Sequence, residues 1–598
     1  MLRRWLAHPR VPFVCALLAV GLASPALVQD FQLDDLFQRV LLLEYADAPG
    51  EPGEMFGVLD GDPERTREFL ELGALPWWSA PELEFHFLRP LTTLTHRLDY
   101  ALWPDSAPLM HLHSLLWLGL AVWAAGLLYR ELLAPAWLGG LATLLFALDD
   151  AHGYPAAWLA NRNALVGTAL GVAALVAHHR WRTSRRRAQA WLAPLLLAGA
   201  LLSGEFGAGA LAYFAAYALV LERGPWRERL ASLLPAGGVA LAWFSLHLAG
   251  GYGAGGSGYY FDPVSETGMF LRHLPERVAV LLGAQFGVLP ADAYALAGSE
   301  GMTAFALASC ALVVVVALAL TPMLRRSATA RFWALGTLLS TVPIAATMPS
   351  NRLLLFVGLG GMALLAELFG GLVGKLDWRS AWRPGGAALR ATRAVAVLLA
   401  LAHLVVAPLL LPLSTFAAGL VGVPAKAAME SLPDDAELAG QDLVIVTAPD
   451  YLVFVSGVWP YLVLEGRPVP RGVRTLSAWP SAVEIERLDA STLRMTIEGG
   501  AYSGALGWLF RGPQSPLVEG QTIQVADWEA RIVELTEDAR PKVVDFHFGD
   551  SLDDSRYRWV YFEEGKYRPL RPPGIGGTRR LPAPRGPMEM VGGELPAH

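Results

Sequence analysis

The chain has 598 residues, 54% of them hydrophobic and 17% charged, with mean hydropathy +0.38 and formal net charge −7. Soluble domains carry about 25% charged residues, so this composition excludes an ordinary soluble protein and points to a polytopic membrane protein with a smaller soluble part. The negative net charge argues against nucleic-acid binding, and the two cysteines, Cys15 and Cys310, lie inside apolar runs and offer neither a disulfide framework nor metal-ligand spacing.

Arg3, Arg4 and Arg10 precede the apolar run Val11 to Val28. That run is longer than the hydrophobic region of a secretory signal, so it reads as an uncleaved first span with a cytoplasmic N-terminus. Just beyond it stands Asp30-Phe31-Gln32-Leu33-Asp34-Asp35. A carboxylate at the bilayer centre costs roughly 2.5–3.5 kcal/mol and less near the interface. Acids kept just outside the hydrocarbon are therefore either a hydrated helix cap or a general base held at the membrane surface. Residues 30–105 read as a long first outer loop, richer in Asp and Glu than in Arg. Pro63 opens a surface helix, Leu91 to Leu102 has helical apolar spacing, and Trp77-Trp78 suits the headgroup level.

Apolar runs near 11–29, 106–128, 132–148, 162–178, 189–204, 206–222, 231–250, 301–321, 331–349, 351–372 and 393–421 give about eleven candidate spans. Basic clusters test their direction. Arg130, His178 to Arg187, Arg223 to Arg229, Arg325 with Arg326 and Arg331, and Lys375 to Arg393 all fall on the side of the N-terminus. The positive-inside rule then predicts a multi-pass protein of the cell inner (cytoplasmic) membrane, N-terminus in, C-terminal part extracytoplasmic. Val278 to Ala297 is apolar but interrupted by Pro290 and Asp292, and reads as an interfacial or re-entrant piece. Gly251 to Gly256 fits a dinucleotide-type glycine pattern without a preceding strand, so nucleotide binding is rejected.

The expected domains are a transmembrane part over 1–422, an extracytoplasmic β-rich (α+β) part over 423–567, and a disordered Pro/Gly/Arg-rich tail over 568–598. Charges become regular after Val423; the continuous apolar run 443–446 reads as a buried strand, and the alternating runs at 482–486, 492–497, 522–526, 530–535, 543–548 and 557–562 read as further strands.

With that topology Asp34, Asp35, Asp149, Asp150, His152, Asn161, Arg162, Glu205, Asn351 and Arg352 all come out on the outer face. Such a set suits glycosyl transfer from a polyprenyl-phosphate sugar: a carboxylate takes the acceptor proton, and cations stabilise the departing phosphate. Asp34 or Asp35 is the candidate base. Arg352, with Arg162, is the candidate phosphate ligand. Asp149, Asp150 and His152 carry no metal-binding pattern, so no metal or other cofactor is expected. His111 and His113 are expected to face the membrane interface.

Several stretches together resemble a known family. They are Phe31 to Asp35; Phe87-Leu88-Arg89-Pro90-Leu91-Thr92-Thr93-Leu94 with Leu98-Asp99-Tyr100-Ala101-Leu102-Trp103; Phe146 to His152 with Ala157 to Leu165; Ser203-Gly204-Glu205; and Arg352-Leu353-Leu354. In this order they resemble GT-C-type polytopic glycosyltransferases, above all the membrane half of tetratricopeptide-containing transmembrane O-mannosyltransferases and their bacterial relatives. The resemblance covers about residues 10–372. It implies a polyprenyl-phosphate sugar donor, an extracytoplasmic acceptor hydroxyl on a protein, lipid or glycan, a first-loop acid (Asp34, Asp35) as base, and substrate contacts at Arg89, Arg162, Glu205, Arg352 and His152. The chain departs from the family at Gly204, where a lysine is common, at Asp149-Asp150, where His-Pro is common, and in lacking tetratricopeptide repeats. A transporter or flippase of a lipid-linked glycan, and a catalytically silent envelope-assembly scaffold, are the alternatives.

Overall fold

A computed structural model describes residues 1–45, 54–184, 186–297, 299–373, 386–501 and 505–586. The chain divides into two compact units. The first comprises Met1–Asp30, Phe87–Tyr252 and Asp262–Ala418; the second comprises Phe31–His86, Gly253–Phe261 and Gly419–His598.

The first unit is helical. Among the described residues, seven helical stretches are long and apolar enough to cross a membrane: Val11–Val28, Ala107–Leu132, Leu159–Ser184, Trp226–Ala249, Glu300–Arg326, Leu355–Leu372 and Ala387–Glu430. The other expected spans are also helices, but short ones: Ala136–Ala147, Arg187–Ser203, Gly209–Ala216 and Ala328–Ile344. Burial separates centre from periphery. Over an 18-residue apolar stretch, 89% of the residues are buried in Leu355–Leu372 and in Leu159–Ser184, against 11% in Trp226–Ala249. Close packing at the centre needs glycine. A Cβ at Gly360 would lie 2.6 Å from the Tyr213 hydroxyl and 2.7 Å from the Trp333 carbonyl oxygen. The Tyr213 hydroxyl donates to the Phe356 carbonyl at 2.6 Å, tying its helix to Leu355–Leu372. Peripheral helices instead expose Leu230, Leu241, Leu307 and Leu318, as lipid-facing surfaces do.

The segment expected to be interfacial or re-entrant, 278–297, is helical on both sides of Pro290. Its apolar half completes a continuous 21-residue helix, Thr267–Gly287, which ends at left-handed Val288. Pro290 and Asp292 fall after the helix and start the short Asp292–Leu296 turn, so they terminate the helix and do not break it.

The second unit is built on two larger sheets and a small one. A four-stranded sheet has the order β12-β11-β4-β5, with β4 (Asp442–Thr447), β5 (Gly472–Ser477) and β11 (Tyr557–Glu563) parallel and β12 (Lys566–Pro569) antiparallel. Every residue of β4 and β5 is buried. A six-stranded antiparallel sheet is built from β6 (Val483–Arg487), β7 (Thr492–Ile497), β8 (Thr522–Val525), β9 (Trp528–Leu535), β10 (Pro541–Phe548) and β13 (Thr578–Leu581), in the order β13-β6-β7-β10-β9-β8. A small sheet joins Gly57–Asp60 (β1), Glu84–His86 (β2) and Gly253–Gly255 (β3).

Three expectations are corrected here. Residues 31–86 belong with the β-rich unit and not with the helical one, because their apolar side chains finish its core. Trp77 and Trp78 are 2% and 1% exposed inside that core, where Trp77 Nε1 donates to the Leu476 carbonyl at 3.1 Å, so they do not sit at a headgroup surface. The tail expected to be disordered from residue 568 instead ends β12 and supplies edge strand β13, whose Leu581 pairs with Val483. Residues 587–598 of that tail lie outside the described residues.

Candidate functional site

The polar groups of the helical unit meet along one turn, Trp158 to Asn163. Trp158 is extended (φ −120°, ψ 112°), and a 3-10 turn over Leu159–Asn161 then runs into the helix Arg162–Ser184. This turn touches three clusters.

The first cluster holds Arg162. It is fully buried, with Nη1 2.5 Å from Asp99 Oδ2; Nε donates to Ser114 Oγ at 2.9 Å and Nη2 to the Met110 carbonyl at 2.8 Å. The other Asp99 oxygen lies 2.6 Å from His113 Nδ1. Trp117 Nε1 donates to His113 Nε2 at 3.1 Å, so Nε2 is the acceptor and the proton is on Nδ1, aimed at Asp99. Asp99 and His113 were missed as partners in the sequence, and His111, expected at the interface, is fully buried. His96 lies in the helix that carries Asp99. Burial and then the Arg162 charge hold its imidazole well below the usual histidine range. Arg162 is therefore a buried bridge between helices.

The second cluster pairs Arg89 Nε with Glu205 Oε2 at 3.0 Å, both groups partly exposed. The Arg89 guanidinium also lies over the Phe87 ring at 4.3 Å. Gly204 stands between them with φ +146°. A Cβ there would be 3.2 Å from Asn163 Nδ2 and 3.3 Å from Arg89 Nε. The missing lysine is thus accounted for locally: the backbone is in a region that favours glycine, and an arginine already occupies the space.

The third cluster holds Arg352, whose guanidinium carbon lies 5.3 Å from the centroid of the Trp158 ring. Its neighbours are fixed by Asp292, which accepts from Ser350 Oγ at 2.5 Å and from the Asn351 backbone N–H at 3.1 Å. Asn351 Nδ2 donates to Asp150 Oδ2 at 3.3 Å, and Gln285 Nε2 donates to Asp149 Oδ2 at 2.9 Å. Burial raises both carboxyls above the usual range, and the Asp150 charge adds to the rise at Asp149. His152 is fully buried, its ring edge-on to Phe146 at 4.7 Å, and burial pushes its imidazole down to about 3. It is neutral, and the structure brings it to no arginine of the set.

Buried polar atoms without a hydrogen-bond partner gather on this turn: Trp158 Nε1, Asn161 Nδ2, Asn163 Oδ1 and, next to Gly204, Glu205 Oε1. Each such group costs about 1–3 kcal/mol unless something polar fills the space. Among the described residues, no group of three or more His, Cys, Asp or Glu side chains is arranged to hold a metal ion.

Asp34 and Asp35 belong to the second unit, in the first turn of the helix Asp34–Leu42. Asp35 is 2% exposed and its Oδ2 accepts from the Gln32 backbone N–H at 3.2 Å; Asp34 is exposed. The residue before them, Leu33, has φ +50° and ψ −125°, a strained conformation for a leucine. Leu36 and Phe37 of the same helix pack on the core of the unit and anchor this turn.

No protein-family model matches the chain, and no curated protein does. Solved structures match it at low identity. An oligosaccharyltransferase of Archaeoglobus fulgidus, tethered with an acceptor peptide containing the NVT sequon, is 15% identical with TM-score 0.38. The match covers 78% of this chain and 63% of that one, so this chain spans less than two thirds of that protein. The oligosaccharyltransferase AglB from the same organism, in complex with an inhibitory peptide and a dolichol-phosphate, is 16% identical over 78% of this chain and 64% of that chain, with TM-score 0.44. ArnT from Cupriavidus metallidurans, bound to undecaprenyl phosphate, is 13% identical over 71% of this chain and 86% of that chain, with TM-score 0.33.

Proposed function

We propose that the chain is a membrane-embedded glycosyltransferase that moves a sugar from a polyprenyl-phosphate donor to a hydroxyl presented outside the cytoplasmic membrane. The observation that carries this reading is the turn Trp158–Asn163. Unpartnered buried donors and acceptors crowd it, the Arg89–Glu205 pair flanks it, and Arg352 lies over Trp158. An arginine fork matches phosphate oxygens, and amide, indole and carboxylate groups match sugar hydroxyls.

In this reading Asp34 takes the proton from the acceptor hydroxyl. The oxygen attacks the anomeric carbon as the bond from that carbon to the phosphate oxygen breaks, and polyprenyl phosphate leaves with the electron pair. Arg352 stabilises the charge that grows on the leaving group. Asp35, buried and bonded to the backbone, is a positioning residue for the turn that carries Asp34. Glycine at position 204 gives little support to a silent scaffold, because Arg89 supplies a cation at that place. The acceptor is a protein, lipid or glycan hydroxyl.

The test is transfer from radiolabelled polyprenyl-phosphate hexoses by the protein reconstituted in liposomes. Arg352→Gln is expected to lower turnover by about 10²-fold, the scale for removing one donor to a developing anion. Wild-type turnover in that variant would overturn the assignment of Arg352.

A further inference from the structure

A separate feature lies where the helix Ser299–Arg326 ends and Ala328–Ile344 begins. An open groove of about 540 Å³ runs between these helices, walled by Thr321, Leu324, Leu335 and Leu338 and topped by Arg325 and Arg331. The membrane-crossing stretch Glu300–Arg326 ends at these arginines, so the groove sits where hydrocarbon gives way to headgroups. Its wall is apolar and its rim is cationic, and no carboxylate lines it.

The nearby acid does not offset this charge. Glu367 is buried and accepts from Ser327 Oγ at 3.1 Å, the same hydroxyl that caps the second helix by accepting from Ala330 N. Arg325 is exposed. Arg331 donates from Nη1 to the carbonyls of Leu324 and Arg325, at 3.1 and 3.4 Å. A guanidinium carries five donors, so Nε and Nη2 remain to meet an anion.

From this charge complementarity we infer that the groove is a binding site for one anionic phospholipid. The phosphate sits between Arg325 and Arg331, and an acyl chain lies along Leu324, Leu335 and Leu338. The inference stands apart from the proposed transfer reaction and uses none of its residues.

Native mass spectrometry of the full chain, released from detergent with added phosphatidylglycerol or phosphatidylcholine, tests it. The expected result is a one-lipid adduct with phosphatidylglycerol at several-fold higher occupancy than with phosphatidylcholine. In Arg325→Gln that preference is expected to fall several-fold while the thermal midpoint stays unchanged. Arg331→Gln is the second variant, read the same way if it folds. Equal binding of the two lipids, or an undiminished preference in Arg325→Gln, overturns the proposal. Displacement of phosphatidylglycerol by an equimolar polyprenyl phosphate would assign the groove to the carrier lipid and overturn it too.

Discussion

Arg89 and Glu205 lie 116 positions apart in the chain, yet their side chains meet at 3.0 Å. Partial exposure keeps the pair modest as a stabiliser: about 0–1 kcal/mol is the scale for pairs of this kind. Its value lies in aiming a cation beside unpartnered polar atoms. Glu205→Gln is therefore expected to leave the thermal midpoint within about 2 °C and to lower transfer at least tenfold, with both quantities read on the same preparation. The Asp149 carboxyl makes a different prediction. Its pKa is raised in the fold, so the folded state holds a proton that the unfolded chain releases near pH 4. Stability should therefore fall as pH rises from about 4 towards 7, with the loss complete above the folded value. Asp149→Asn removes that titration and can donate to the buried, unpartnered Gln285 Oε1. Thermal melts in detergent are expected to show a flatter profile over that window in Asp149→Asn than in the wild type.

Among the elements, the helix Pro90–Leu102 and the start of Arg162–Ser184 are joined by the buried Asp99–Arg162 bridge. Removing one partner leaves an uncompensated buried charge, at about 3–5 kcal/mol. Asp99→Ala should thus lower the thermal midpoint strongly or abolish folding, whereas Asp99→Asn should lower it less. Gly204→Lys, which restores the residue common in the resembled family, should reduce both stability and transfer. The backbone at φ +146° strains any side chain there, and a Cβ would crowd Asn163 and Arg89 at 3.2 and 3.3 Å; unchanged melts and raised transfer would contradict this. Much of this architecture could be read in the sequence. Apolar run length marked the helices and the buried strand β4, and the period-two pattern marked β6 to β11. The strand β5 was missed because Gly472-Val473-Arg474-Thr475-Leu476-Ser477 carries polar side chains that are nonetheless buried, Arg474 bonding to Asp442 at 3.3 Å. The pairing Asp99–His113 was hidden for a similar reason, since a buried ion pair leaves no apolar period to see. Trp77-Trp78 misled because indoles at a membrane surface and indoles in a core look alike without their neighbours.

At the scale of the whole molecule, the residues proposed to act on substrate are split between the two units. Arg89, Glu205 and Arg352 belong to the helical one, and Asp34 to the β-rich one. The sequence ordered both sets on one face through the arginine clusters, but it could not show that residues 31–86 complete the core of the second unit. Their partners, such as Leu476 and Trp479, lie hundreds of positions away. The central claim is that Asp34 is the base. Asp34→Asn changes one atom of an exposed side chain, whereas Asp35→Asn alters a buried bond. The decisive measurement is the initial rate of sugar transfer from polyprenyl phosphate in liposomes containing Asp34→Asn. The expected result is a loss of at least about 10²-fold, the lower scale for a general base, with the melt of the wild type retained. A normal rate in that variant would contradict the assignment.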